Sequence, residues 1–166
     1  MILKSKGLIL RPFRTEDLDA LFESCLDGGS ASKKHPITKK KAEAYLRKLL
    51  SRQKDAHRFA VIIDGLCCGA MSLSDIKQSH KAEAAGIWLR KKCWGQGFGT
   101  TGVKLLTQFG FKELGLRRIY AYIDKKNVAS ITMFEKAGYK REGLLRKERL
   151  TSKGKFVDHY IYAKVR

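Results

Sequence analysis

Acidic residues are scarce in this chain. Its 166 residues hold 16 Asp and Glu against 35 Lys and Arg, a formal net charge of +19. Long apolar runs are missing too: stretches such as Phe59 to Ile63 fall far short of the roughly 20 residues that cross a bilayer, which excludes a helical membrane span. Cysteine is limited to Cys25, Cys67, Cys68 and Cys93, and histidine to His35, His57, His80 and His159. No spacing among them suits a zinc site, so no metal is expected. The adjacent Cys67 and Cys68 lie in an apolar segment and read as small packing residues. Cys93, beside Lys91 and Lys92, is the one thiol with an electropositive neighbourhood in the sequence. With two prolines and 43% hydrophobic residues, the chain has the profile of one folded domain over residues 1–166, large enough to be stable without disulfides. The segment Met1 to Lys6 lacks an apolar core ending in small residues, so a cytoplasmic location is expected.

The excess of positive charge has two readings. One is a surface for nucleic acid or the ribosome, because a basic excess attracts phosphate over long distances. The other is a solvated basic face. Lysines run from residue 4 to residue 164, and the densest group, Lys39-Lys40-Lys41, belongs to an amphipathic segment.

Leu8 to Phe13 predicts a first strand, and Thr15 with Glu16, Asp17 and Asp19 opens a helix through about Leu26. Gly28-Gly29-Ser30 breaks it. A second helix from about Thr38 to Gln53 gathers Ala42, Tyr45, Leu46, Leu49 and Leu50 on one face. Phe59 to Ile63, Asp64-Gly65 and Leu66 to Leu73 predict a hairpin, and Ala82 to Leu89 another strand. After Gly95 to Gly99 a helix runs to about Leu114. Arg118 to Ile123 is a strand with Ile119, Ala121 and Ile123 on one face, and Val128 to Ala137 is a helix. Lys140 to Leu150 and Lys155 to Val165 close the chain as a hairpin around Thr151 to Gly154. This order describes a single-domain α/β fold with a mixed sheet.

Two segments carry chemistry. In Trp94-Gly95-Gln96-Gly97-Phe98-Gly99-Thr100, three alternate glycines between a strand and a helix allow tight turning and close approach to a ligand. The helix start that follows leaves N–H groups unpaired, which suits a phosphate; an ordinary tight connection is the alternative. It is not a Walker loop, since Gly102 precedes Val103 rather than Lys, and a dinucleotide fingerprint lacks its acidic residue about twenty positions on. The second segment runs from Asn127 to Tyr139. Asn127 reads as a helix N-cap and Gly138 as the stop, and the polar helix start can also lie beside a ligand held by the glycine loop.

Together these stretches resemble the GNAT superfamily of acetyl-CoA-dependent N-acetyltransferases, in the branch of ribosomal-protein N-terminal and spermidine acetyltransferases. The matching residues are Leu8 to Pro12, Gly86 to Leu89, Cys93 to Thr100, Asn127 with Ser130, Phe134 to Tyr139, Glu142-Gly143, Leu145-Arg146, and Gly154 with Val157, Asp158 and Tyr162. The resemblance implies a mostly antiparallel central sheet flanked by helices, acetyl-CoA as co-substrate, an amine acceptor, no membrane, and a monomer or homodimer. It implies that Ile87, Trp88, Leu89 and Arg90 offer backbone groups to the pantetheine arm where their strand splays from its neighbour. Gly95, Gln96, Gly97, Phe98, Gly99 and Thr100 are implied to hold the pyrophosphate. Asn127, Ser130, Phe134 and Lys136 complete the implied cofactor contacts. Phe134 stands where many relatives carry a tyrosine acid.

A primary amine with a pKa of about 10 is protonated at neutral pH and must lose a proton before it attacks a thioester. Relatives commonly carry a glutamate in the strand Ala82 to Leu89, in a register that falls on Ala84; Glu83, next to it, is the candidate base, and Glu148 in the closing hairpin is the alternative. Ser130 is the candidate donor to the leaving thiolate, and a backbone N–H near Leu89 is the candidate for the oxyanion. The acceptor side is Lys-rich: Lys33, Lys34, Lys39, Lys40, Lys41, Arg146, Lys147 and Arg149. A +19 enzyme repels a polycation such as spermidine, which favours the N-terminal α-amine of an acidic or ribosome-bound protein. Alternatives are a small-molecule amine acceptor, or an RNA- or ribosome-binding module stacking bases on Tyr120 and Tyr122.

Overall fold

Consecutive apolar residues build the central strands of this chain, and the part of the sheet they form is buried on both faces. In β3 (His57–Ile63), Val61 and Ile63 face one side and Ala60 and Ile62 the other, all of them buried. The computed structural model describes residues 1–27, 38–51, 54–151 and 154–166. The strands are β1 (Leu3–Ser5), β2 (Leu8–Arg11), β3, β4 (Leu66–Lys77), β5 (Lys81–Leu89), β6 (Arg118–Asp124), β7 (Lys140–Leu150) and β8 (Phe156–Val165), and the helices are α1 (Leu18–Leu26), α2 (Lys39–Leu50), α3 (Phe98–Lys112) and α4 (Val128–Lys136). The strands form one 8-stranded sheet in the order β1-β2-β3-β4-β5-β6-β8-β7. Every neighbouring pair is antiparallel except β5 and β6.

Val103, Leu106 and Phe109 of α3 and Phe134 of α4 pack with Leu8, Leu10, Val61, Leu73 and Ile119 on one face of the sheet. Leu21 of α1 and Leu46 of α2 pack with Phe13, Ala60, Ile62, Cys67 and Trp88 on the other. Each large side chain buried in these layers contributes about 1.5–3 kcal/mol relative to its exposed state. No helix among the described residues is long and apolar enough to cross a bilayer.

Several boundaries differ from the sequence reading. β1 is an added edge strand of three residues, whose Lys4 and Ser5 face solvent and give no alternation to read. Thr15 does not open an α-helix: Thr15–Asp17 is a 3-10 turn, and the buried Asp17 accepts from the Arg14 N–H and both terminal nitrogens of Arg11. β4 extends four residues beyond Leu73 and ends at Lys77. Cys93 is a buried thiol whose pKa burial, with neighbouring Cys68, pushes up to about 11, so it is no reactive thiolate. The break at Gly28 to Ser30, the cations Lys33 and Lys34, Gln53 and the turn residues Ser152 and Lys153 lie outside the described residues.

Candidate active site

The site begins where β5 and β6 part. These strands pair only at Lys81 with Arg118, Ala82 with Ile119 and Glu83 with Tyr120. Beyond Glu83 they share no register, and a gap widens toward Leu89 and Asp124. A bulge sits just past this apex: β5 gains one residue on β4 between the pairs Ala70–Trp88 and Ser72–Ala85, with Gly86 at φ +59. A side chain there would be strained in backbone and would meet the Ser72 hydroxyl at 3.1 Å, so glycine is favoured.

Backbone direction along β5 follows from one bond. The Arg90 N–H donates to the Cys68 carbonyl on β4 at 2.7 Å. Successive N–H groups of a strand alternate in direction, so those of Leu89 and Ile87 face the gap while those of Arg90 and Trp88 face β4. Of the four residues expected to bind a pantetheine arm through backbone, Ile87 and Leu89 therefore turn their N–H groups to the gap, and Trp88 and Arg90 do not. The Arg90 side chain instead pairs with Glu23 and Asp27 at the end of α1, and the Trp88 ring is buried in the α1–α2 layer. The Leu89 carbonyl accepts the indole N–H of Trp94 at 2.8 Å, which fixes that ring at the open end of the gap.

The loop after β5 enters α3 through two left-handed glycines, Gly95 at φ +75 and Gly97 at φ +81. Among the described hydrogen bonds, none starts from the backbone N–H groups of Gly95, Gln96, Gly97, Phe98, Gly99 or Thr100. A Cβ at Gly95 or Gly97 would meet nothing within 4 Å, so the loop is open around these two glycines. Donors gathered at the positive end of a 15-residue helix fit a diphosphate. Gly99 is small for a different reason: its Cβ would sit 2.7 Å from the Met133 sulfur of α4.

At α4, Asn127 is the N-cap, its Oδ1 accepting from the Ser130 N–H at 3.1 Å. The cap leaves the Asn127 amide NH2 at the helix opening, with the half-buried Ser130 one turn in. Phe134 is a core ring, 3% exposed, set edge-on to Tyr139, whose hydroxyl bonds Thr107. Lys136 is exposed at the opposite end of α4, about 13 Å along the axis from Asn127, so the structure does not bring it to the opening.

Glu83 opposes Ser74 on β4 and Tyr120 on β6, on the face away from the buried Ala82 and Ala84. Burial raises its carboxyl above the usual range; the charge of Asp75 adds to this, and Arg149 of β7 opposes it. Asp75 accepts a hydrogen bond from Tyr120 at 2.8 Å and pairs with Lys77 at 3.0 Å; both bonds lower its pKa. Sequence reasoning gave Asp75 and Trp94 no part in the site. Tyr120 is buried and meets the half-exposed Tyr122 edge-on, 67° between planes, so they form no stacking platform for bases. Glu148 is exposed on β7, in the stretch between Leu145 and Arg149 where β7 and β8 shift register. The N–H of Leu89 lies six residues from Glu83, about 20 Å in an extended strand, whereas that of Ile87, beside the bulge, is nearest the apex.

The fold that carries this gap is shared with known proteins. A family model described as an acetyltransferase (GNAT) domain matches residues 7–140. The N-acetyltransferase p20 of Bacillus licheniformis is 29% identical over 97% of this chain and 94% of its own length. The spermidine N(1)-acetyltransferase of Escherichia coli strain K12 is 30% identical over 84% of this chain and 76% of its own. RimL, a ribosomal alpha-N-protein acetyltransferase solved in complex with coenzyme A, superposes with a TM-score of 0.87 at 18% identity, covering 99% of this chain and 98% of that one. With the fold, the gap and these matches in agreement, the chain belongs to the GNAT acetyltransferase family and is an acetyl-CoA-dependent N-acetyltransferase.

Proposed function

We propose that this enzyme acetylates the N-terminal α-amine of a protein, with ribosomal proteins as the acceptor class, and that Glu83 takes the amine's proton. The observation that carries the reading is a half-buried carboxylate with raised proton affinity at the apex of the β5–β6 gap. A base that holds protons closer to neutrality is matched to deprotonating an ammonium group. Exposed Arg146, Lys147 and Arg149 on the closing hairpin, and the net charge of +19, support an acidic or ribosome-bound acceptor. The name of RimL agrees with this acceptor class.

Acetyl-CoA supplies the thioester carbonyl and a thiolate leaving group. The N–H groups from Gly95 to Thr100 hold its pyrophosphate, and that of Leu89 holds the pantetheine arm along β5. The amide NH2 of Asn127 hydrogen-bonds the same arm from the α4 side. The Ile87 N–H, rather than that of Leu89, stabilises negative charge developing on the carbonyl oxygen. Glu83 removes the proton from the acceptor ammonium through a water, which spans the distance from the strand face to the gap. As the new C–N bond forms and the C–S bond breaks, the Ser130 hydroxyl passes a proton to the departing sulfur and takes one from a water, so that it ends as the hydroxyl.

The relative named as a spermidine acetyltransferase favours a second reading, a polyamine acceptor. Mass spectrometry of an acidic N-terminal peptide and of spermidine, each incubated with acetyl-CoA, separates the two, with kcat/KM followed against ionic strength. The expected product is the peptide acetylated at its α-amine, with kcat/KM falling as salt screens attraction to the enzyme. Acetylated spermidine without acetylated peptide, at rates that rise with salt, overturns the acceptor assignment.

A further inference from the structure

Glu83 lies between two bulges on opposite strands. One is the Gly86 bulge of β5; the other is in β4, which gains a residue on β5 between the pairs Ser74–Glu83 and Lys77–Lys81. In an unbroken strand Asp75 would follow Leu73 into the layer under α3. Instead Asp75 is left-handed, at φ +53, and the next residue, Ile76, packs against that layer. The bulge turns the Asp75 carboxylate to the face of Ser74 and Glu83, where the Tyr120 hydroxyl donates to Oδ2 at 2.8 Å. Tyr120 is the residue of β6 directly opposite Glu83. A left-handed aspartate, an extra residue in the strand and a buried tyrosine thus hold one carboxylate beside another. Bulges that re-aim a side chain in this way cluster beside active sites.

We propose that Asp75 is a positioning residue for acetyl transfer: locked by Tyr120 and Lys77, it sets the charge that Glu83 faces and keeps Glu83 able to accept the acceptor's proton. The proposal rests on Glu83 as the base. The groups facing Glu83 are Asp75 and Lys77 from β4, Lys81 from its own strand, Tyr120, Tyr122 and Arg118 from β6, and Arg149 from β7. Arg118 is paired with Glu142 and Lys77 with Asp75. Lys81 acts on Asp75, whose proton affinity it lowers; Arg149 is the cation that lowers the proton affinity of Glu83, and Asp75 the anion that raises it.

The test is the pH profile of kcat/KM for the acceptor, at saturating acetyl-CoA, in the full chain and three variants. Asp75→Asn removes the charge, still accepts from Tyr120 and tolerates the left-handed backbone as well as Asp does. Its acid limb should move to lower pH with KM for acetyl-CoA unchanged. Tyr120→Phe frees Asp75 and should move the limb in the same direction by less; it provides a second reading if Asp75→Asn folds poorly. Glu83→Gln should abolish the limb. A merely structural Asp75 would lower kcat at every pH and leave the limb in place, and that result overturns the proposal while Glu83 stands. A limb that survives in Glu83→Gln removes Glu83 as base and the role of Asp75 with it.

Discussion

Gly97, the N-cap of α3, and Gly99, in its first turn, should fail on substitution for different physical reasons. Gly97 holds φ +81 and ψ −6, and a Cβ there would meet nothing within 4 Å. Gly97→Ala therefore introduces no clash, only the left-handed strain of an L-residue, about 1–2 kcal/mol. For a domain of this size that strain lowers Tm by roughly 2–8 °C. A loop that relaxes to escape the strain re-aims the N–H groups of the first turn of α3, and the diphosphate cradle is lost. Gly99 has an ordinary helical backbone, but its Cβ would lie 2.7 Å from the Met133 sulfur. Overpacking of this kind costs about 1–3 kcal/mol, offset by up to about 1 kcal/mol of helix propensity gained over glycine. The assay is thermal melting with and without acetyl-CoA, where ligand at a hundred times its Kd adds about 2.7 kcal/mol. Gly97→Ala should lose both intrinsic stability and the ligand increment. Gly99→Ala should lose stability that is less than additive with Met133→Ala, since the second change removes the clashing atom. Gly97→Ala melting and binding like the parent protein would refute the argument that left-handed backbone aims the cradle.

Glu83→Gln should lower kcat about a hundredfold or more while raising stability at neutral pH. The folded carboxyl titrates above its unfolded value, so unfolding releases a proton; stability falls as pH rises through the interval between the two values, and the deficit is complete above the folded one. Melting against pH should show that slope in the parent and lose it in Glu83→Gln; a variant no more stable at pH 7 refutes the burial argument. At Asn127 two functions separate by substitution, because Asn127→Asp keeps the capping oxygen and loses the NH2, while Asn127→Ala loses both. Alanine should cost about 1 kcal/mol in the melt, both should weaken acetyl-CoA binding by calorimetry, and full affinity in Asn127→Asp refutes the contact to the arm.

The glycine loop, the Asn127 cap and the alternation of β5 were legible because each is local: glycine spacing, a polar residue before a helical pattern, and Ala82 and Ala84 flanking Glu83. The face of Glu83 follows from that alternation alone. The apex of the gap was not legible, because it is set by where parallel β5 and β6 stop pairing, a tertiary register between segments 37 positions apart. Asp75 was hidden for the opposite reason. Period-two reading sends it with Leu73 into the core layer, and only the β4 bulge reverses it; the residue type gives no warning, since aspartate enters left-handed backbone without a glycine to mark the place. Trp94 had the right position in sequence, but its bond to the Leu89 carbonyl depends on the path of the 3-10 turn Lys91–Cys93.

The net charge takes on a different meaning once the gap is located. At physiological ionic strength charges separated by more than about 8 Å are largely screened, so the +19 of the whole chain acts on the approach of an acceptor rather than on its reacting amine. At the apex the charges are mixed, with Glu83 and Asp75 against Lys77, Lys81 and Arg149. Beyond it, exposed Arg146 and Lys147 line the hairpin. Such an arrangement suits a single ammonium followed by a negatively charged body, since the ammonium meets carboxylates and the body meets cations. A polyamine carries its next positive charge only a few bonds along its chain, within the unscreened distance of those same cations. On the proposed reading, discrimination against polyamines rests on the few cations near the gap rather than on total charge, and Arg149 is the one among them that also acts on Glu83.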